Sequence, residues 1–281
     1  MHTPLVFYLD SYSVNEEERL RQAGVSTIRV STAGSFRAIV PNSASQGEEA
    51  LIRGSKLTPI AYGEMCKALA VGGTEVRTSP SSYAALSNSE VYERSIQYYV
   101  PKMLTWPLAS QSLVEDISQL KHWGQAFIRS ELGSAAKFAG IENCFIRGFA
   151  IHEIEEKLER LKQAHPTASR IIVRDVIEVK KIDGKSVEGR FIILNGSVCH
   201  LDHFEPLDLS QREKFLTTHF ESAATVANSL LKAGITGDYF VDIAERTAGG
   251  WFVVEIKPLL DGTIRDVGAF ASALLVQDSP K

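Results

Sequence analysis

The stretch Tyr239-Phe-Val-Asp-Ile-Ala-Glu-Arg-Thr-Ala-Gly-Gly-Trp-Phe-Val-Val-Glu-Ile-Lys257 decides the fold. Two runs rich in β-branched and aromatic residues, Tyr239 to Glu245 and Trp251 to Lys257, flank a Thr-Ala-Gly-Gly turn and predict an antiparallel hairpin. Pairing across that turn sets Asp242 opposite Glu255 and Phe240 opposite Lys257, all four on one face. Two opposed carboxylates among Val, Ile and Phe repel each other and lose hydration unless a cation neutralises them. Magnesium meets that need, because it takes one or two carboxylates and completes its shell with water and phosphate oxygens. A plainer reading stays open, in which Lys257 pairs with Glu255 or Asp242 on a solvated sheet face.

Upstream of the hairpin, three arginines sit in strands that otherwise read as buried: Arg129 in AFIRS, Arg174 in IIVRDVI and Arg190 in VEGRFIIL. An arginine so placed needs a carboxylate or phosphate partner. Each alone suits a structural ion pair; together with the two carboxylates they point to a polyphosphate, which guanidinium groups bind in a bidentate manner. Between Ser130 and Gly140 lies ELGSAAKFAG, where small residues let backbone N–H groups approach phosphates and Lys137 adds a mobile charge. Neither a GxxxxGK[ST] loop nor a GxGxxG after a strand occurs.

The rest of the chain reads as α+β behind a smaller α/β domain. Leu5 to Leu9, Thr27 to Val30, Thr58 to Ala61 and Glu75 to Thr78 read as strands, alternating with helices, in a front domain over 1–90. Residues 91–107 read as a helix and an ordered aromatic connector. Beyond it, Ser112 to Glu115 and Ser210 to Glu213 fit capping boxes that open helices, the second running to about Ala233 with Gly234 as its stop. Ala126 to Ser130 reads as a strand and Ile151 to Ala164 as an amphipathic helix. A long strand over Arg170 to Lys180 is expected to turn at Asp183-Gly184 into Val187 to Leu194, which ends at the hairpin dipeptide Asn195-Gly196.

The 281 residues carry a net charge of -4, which argues against nucleic-acid binding as the main task. No run nears the roughly 18 apolar residues of a membrane span, and the start lacks the basic n-region of a signal peptide, so a cytoplasmic protein is expected. Cys66, Cys144 and Cys199 lack metal-like spacing and read as buried thiols. A minor alternative takes Cys199-His200-x-Asp202-His203 as a transition-metal site.

The order of these features resembles the ATP-grasp enzymes across essentially the whole chain. Phe127-Ile-Arg129 looks like the first basic strand of that family, Ile172-Val-Arg174-Asp175 like its hinge strand, Glu188-Gly-Arg190 like its acidic-x-Arg strand, and Asp242 with Glu255-Ile-Lys257 like its metal-binding hairpin. Arginine stands where lysine is usual, and Lys257 where the metal-binding asparagine is usual. Those departures look like the clade marked by two arginines and one lysine, here Arg129, Arg174 and Lys257.

The resemblance implies an ATP-grasp fold over 91–281, with two α+β lobes of antiparallel sheet, about 107–175 and 176–281, behind a pre-ATP-grasp domain. It implies ATP between the lobes, with Arg129, Lys137 and Arg174 on phosphates, adenine against Asp175, Val176 and Ile177, and Glu178 toward the ribose. Asp242 and Glu255 would hold Mg2+, with Arg190 and Lys257 catalytic. The implied activity is ATP-dependent joining of a carboxylate, from a small molecule or peptide, to an amine, through an acylphosphate and with release of ADP. Other ATP-grasp phosphoryl transfers, and a decayed nucleotide-binding or interaction module, stay open.

Overall fold

The computed structural model describes residues 5–9, 14–30, 49–130, 140, 144–205, 208–260 and 262–277. The chain divides into two compact units, one made of residues 1–96 with 179–281 and the other of residues 97–178.

In the first unit a parallel sheet is built from β1 (Leu5–Leu9), β2 (Ser26–Val30), β3 (Glu49–Arg53) and β4 (Glu75–Val76), ordered β2-β1-β3-β4. Every residue of β1 is buried, as expected of a central parallel strand. Helix α1 (Val14–Gln22) follows β1, and α2 (Pro59–Val71) precedes β4. The sequence reading of Thr58 to Ala61 as a strand is corrected here. Thr58 is the N-cap of α2, its hydroxyl accepting from the Ala61 N–H, and Pro59 fills the first turn, where its missing N–H costs nothing. The third strand is Glu49–Arg53 instead. Two short helices, α3 (Pro80–Ser87) and α4 (Ser89–Ser95), complete this part.

The second unit holds an antiparallel sheet of β5 (Met103–Pro107), β6 (Ala126–Ser130), β7 (Phe145–Ile146) and β8 (Arg170–Asp175), ordered β5-β8-β6-β7. Met103–Pro107, read from sequence as a connector, is an edge strand on β8, with Pro107 at its end, where no ladder donor is needed. Helix α5 (Leu113–Ser118), a 3-10 turn (Gln119–Trp123) and α6 (Ile151–Ala164) supply the remaining apolar cover. Leu113, Ile117, Ile154, Leu158 and Leu161 pack with Ala126, Ile128, Ile171 and Val173 from one side of the sheet. Ser112 makes no cap; its hydroxyl donates to Asp116 at 2.8 Å.

The strand at Arg170 stops at Asp175, because its neighbours β5 and β6 end there. The Asp175 N–H donates to the Lys102 carbonyl and the Val176 N–H to that of Gln125. Beyond it, β9 (Lys181–Ile182) and β10 (Lys185–Ser186) form a minimal hairpin around Asp183 and Gly184, both at positive φ. The expected turn at Asp183-Gly184 is formed, with the Val187 N–H on the Lys180 carbonyl, but the strand expected over Arg170 to Lys180 is broken after Asp175.

Back in the first unit, β11 (Glu188–Leu194), β12 (Ser197–Glu205), β13 (Tyr239–Glu245) and β14 (Trp251–Pro258) form an antiparallel sheet ordered β12-β11-β13-β14. Asn195 and Gly196, at φ 48° and 76°, close the β11–β12 hairpin as their dipeptide predicts. Helix α7 (Leu209–Lys232) follows β12 and α8 (Val267–Gln277) follows β14. The cap of α7 is Asp208, whose carboxylate accepts from the Gln211 N–H, while Ser210 donates to Asp208. The expected Ser210 box thus lies two residues too far along. Gly234, at φ 78°, follows the end of α7 as expected.

Among the described residues no helix is long and apolar enough to cross a membrane. Cys144 is buried, as its sequence reading had it, but Cys66 and Cys199 are half-buried.

Candidate functional site

Register across the antiparallel sheet of the first unit creates one polar row. Asp242 pairs with Glu255 and Phe240 with Lys257, as the hairpin predicts, before a bulge shifts Ile243 onto Val253. On its other side Asp242 faces Arg190, and Arg190 faces His203. His203, Arg190, Asp242 and Glu255 thus line up across four strands.

Where the row sits follows from the pattern along each strand. Leu194, Ile192 and Phe240 share its face and are fully buried in a cluster with Leu259, Val267, Phe270 and Leu274. Moving down the same face, β11 continues with Arg190 and Glu188 and β13 with Asp242, all only half-buried. The polar row therefore begins where apolar cover ends. On the reverse face Gly189 allows close packing of α7, since a Cβ there would stand 2.5 Å from Cε1 of Phe215.

Arg190 is the arginine whose partner the sequence required. Its Nε donates to Asp242 Oδ1 and its Nη2 to Oδ2, both at 2.7 Å, and its guanidinium carbon lies 4.9 Å from the Phe240 ring centre. The Asp242 hydrogen bonds raise the Arg190 pKa further, so its charge is permanent. Nη1 makes no hydrogen bond among the described residues, which leaves that edge for an anion. Lys257 Nζ sits 2.7 Å from Glu255 Oε2; with both side chains over a third exposed, the pair contributes about 1 kcal/mol at most. The plainer reading of Lys257 thus describes its contact here.

Glu188 and Glu205 face one another beside this row. Burial, then the charges of Asp242 and Glu205, push the Glu188 carboxyl above its usual range. Burial, then the neighbouring Arg265, lowers His203. Asp202 is committed elsewhere: its Oδ1 accepts from the Arg265 and Asp266 N–H groups at 2.9 and 3.0 Å. Cys199 donates to the Ser197 carbonyl. Cys199 to His203 lie within β12, and among the described residues no three His, Cys, Asp or Glu side chains gather for a metal. Asp242 and Glu255 fit magnesium as a donor set, since that ion needs few protein oxygens when phosphate supplies others.

In the second unit, Arg129 lies opposite Ile172 and Arg174 opposite Phe127, so both arginines share the face turned away from the helices. Both are half-buried. Burial raises the pKa of Asp175, with Lys102 opposing. Val176 to Glu178 carry the chain out of this unit, and Lys180 is then fixed to β13 through its N–H on the Glu245 carbonyl and its ammonium on the Glu245 carboxylate at 2.6 Å. Lys137 falls outside the described residues.

Sequence reasoning missed two buried pairs behind the row. Arg53, fully buried, meets the Glu16 carboxylate at 2.8 and 3.0 Å and also donates to the carbonyls of Leu259 and Gly262, just past β14. Arg77 lies 3.1 Å from Asp238, whose other oxygen accepts from the Asn195 N–H. A charged residue inside the apolar strand EALIR was the available signal for the first.

No family model matches the sequence, and no curated protein matches it. Solved structures do resemble it over nearly its whole length. D-cycloserine synthetase DcsG is 14% identical, with 97% of this chain and 99% of that chain covered and a TM-score of 0.63. A RimK domain ATP-grasp protein from Sphaerobacter thermophilus is 18% identical, with 97% and 100% covered and a TM-score of 0.61. The ATP-grasp ligase PsnB, in complex with precursor peptide PsnA2 and AMPPNP, is 13% identical, with 99% and 98% covered and a TM-score of 0.60. The chain has the ATP-grasp fold. Its front parallel sheet falls within that likeness, as the coverage requires.

Proposed function

We propose that the protein is an ATP-dependent ligase that joins a carboxylate to an amine in the cytoplasm, and that it belongs to the ATP-grasp clade marked by Arg129, Arg174 and Lys257. The observation that carries this reading is the row of Arg190, Asp242 and Glu255 at the open end of the sheet, in a fold shared with ligases. Residues 1–90 are assigned to the domain that precedes the ATP-grasp lobes.

In this reading Arg129, Lys137 and Arg174 hold phosphate oxygens, Asp175 to Ile177 line the adenine and Glu178 meets the ribose. Asp242 and Glu255 hold magnesium, which when bound neutralises phosphate charge. Arg190 holds Asp242 in orientation with one edge and takes the transferred phosphoryl group or the substrate carboxylate with Nη1. The substrate carboxylate attacks the γ-phosphate to give an acylphosphate and ADP. An amine then adds to the acyl carbon, and phosphate leaves. No enzyme nucleophile is required.

Isothermal titration of Mg-ATP into wild type and into an Asp242→Ala, Glu255→Ala variant tests the site. Micromolar binding that needs magnesium and disappears in the variant is expected, followed by ADP release with the right carboxylate and amine. A folded wild type that binds no nucleotide refutes the reading.

A further inference from the structure

We infer that His203 is a phosphate-contacting residue of this site: it stands with Arg190 on the γ-phosphoryl group and takes up a proton as that group enters. The inference rests on the ligase reading and selects the phosphoryl group from the two ligands left open to Arg190. The placement comes from register. Arg190 pairs with Asp242 on one side and with His203 on the other, and His203 is half-buried at the outer end of the row. Asp242 takes Nε and Nη2 of Arg190, so Nη1 is the donor left for an anion, and His203 is the next side chain along the row. Between His203 and Glu205, the buried Phe204 packs on Phe215 of α7 on the reverse face, which turns both polar residues to the face of Arg190 and Glu188.

The charges around the imidazole come from three directions among the described residues. On its own strand, Glu205 Oε1 lies 3.7 Å from Nε2, and Asp202 is held by the Arg265 and Asp266 N–H groups. From β11 come Arg190 and, opposite Glu205, Glu188; from the segment after β14 comes Arg265. Of the helices packed on β12, α7 has its Arg212 tied to the Leu201 carbonyl, and α8 carries no charged residue. Burial, Arg265 and Arg190 hold the imidazole below its usual range against Glu205 and Asp202, so it is neutral at pH 7 in the free protein.

A phosphate dianion on Nη1 reverses that balance. It offsets the charge of Arg190 and adds an acceptor, so imidazolium becomes the favoured form. The proton comes from solvent and returns to it when the phosphate departs. With Nε2 toward Glu205, Nδ1 is the nitrogen that donates to the phosphoryl oxygen. The residue thus adds a positive charge only while the row carries the extra negative one.

The test reads the imidazole directly. Histidine Cε1–H signals are followed by NMR over about pH 5 to 8 in the free protein, with Mg-AMP-PNP and with Mg-ADP, which lacks the γ-phosphate. The His203 signal is assigned through bonds and checked by its loss from His203→Gln, with circular dichroism confirming the fold. AMP-PNP is expected to raise the His203 pKa by about one unit or more, and ADP to leave it near its free value. Equilibrium dialysis should show His203→Gln binding AMP-PNP about tenfold more weakly, as loss of a charged hydrogen bond implies, with ADP nearly unaffected. A His203 pKa that AMP-PNP does not move, or that ADP moves equally, overturns the inference while nucleotide binding survives. Equal weakening of both nucleotides in His203→Gln also overturns it. Failure of folded wild type to retain AMP-PNP removes the ligase reading itself, and this inference with it.

Discussion

Replacing Arg53 with methionine should expose how much of the first unit hangs on one buried charge pair. Arg53 is fully buried and Glu16 nearly so, and the Glu16 carboxylate also accepts from the Tyr8 hydroxyl at 2.9 Å. Methionine can fill most of the volume, but the buried Glu16 carboxyl group then loses its guanidinium partner. Leaving one buried partner uncompensated costs about 3–5 kcal/mol. Against the roughly 5–15 kcal/mol that holds a typical domain folded, that is a large share. The double variant Arg53→Met, Glu16→Gln should recover much of it, because glutamine still accepts from Tyr8 and buries no charge. Urea unfolding followed by circular dichroism, on wild type, both single variants and the double variant, measures the coupling. An interaction of about 2 kcal/mol or more is expected for groups in direct contact. A loss below about 1 kcal/mol for Arg53→Met, or single-variant costs that simply add, would refute the assignment of this pair as mutually dependent.

Three further outcomes follow from the same geometry. Gly189→Val should lower stability by about 1–3 kcal/mol, since its Cβ would meet Phe215 and Leu201, and an unchanged urea midpoint would disprove the close packing. Glu188→Gln should raise the melting temperature at pH 7 and not at pH 4. The folded-state pKa of Glu188 is raised, so the folded protein binds the proton more readily and loses stability as pH rises from the ordinary 4.5 through the raised value. An equal effect at both pH values would contradict this. Burial pushes the Cys66 and Cys199 thiols up to about 11, so both stay protonated at neutral pH. Ellman's reagent should therefore label them only slowly until urea is added, and rapid labelling of the native protein would refute that environment.

Legibility followed the range of the interactions. The Tyr239–Lys257 hairpin was readable, including the Asp242–Glu255 pairing, because a short turn sets the register of the strands beside it. Ala126–Ser130 and Ile151–Ala164 were readable from their own periodicity. Met103–Pro107 was not, because an edge strand buries little and its partner β8 lies far along the chain. No strand was read over Ser197–Glu205, since its two register shifts break the alternation. Neither capping box forms its hydrogen bonds: Ser112 does stand at the N-cap of α5 but gives its hydroxyl to Asp116, and Asp208 competed successfully for the start of α7.

The sequence by itself determined the local pairs: a carboxylate opposite a carboxylate across a tight turn, arginines in apolar strands, and the Asn195-Gly196 turn. Only the tertiary structure decided that Arg190 grips Asp242, that His203 joins their row, and that Arg53 reaches Glu16 and the chain beyond β14. Those contacts join strands separated by long connections. Their register is set by burying Ile192, Leu194 and Phe240 under α8 and the front sheet, a choice made by the whole core that no local pattern encodes.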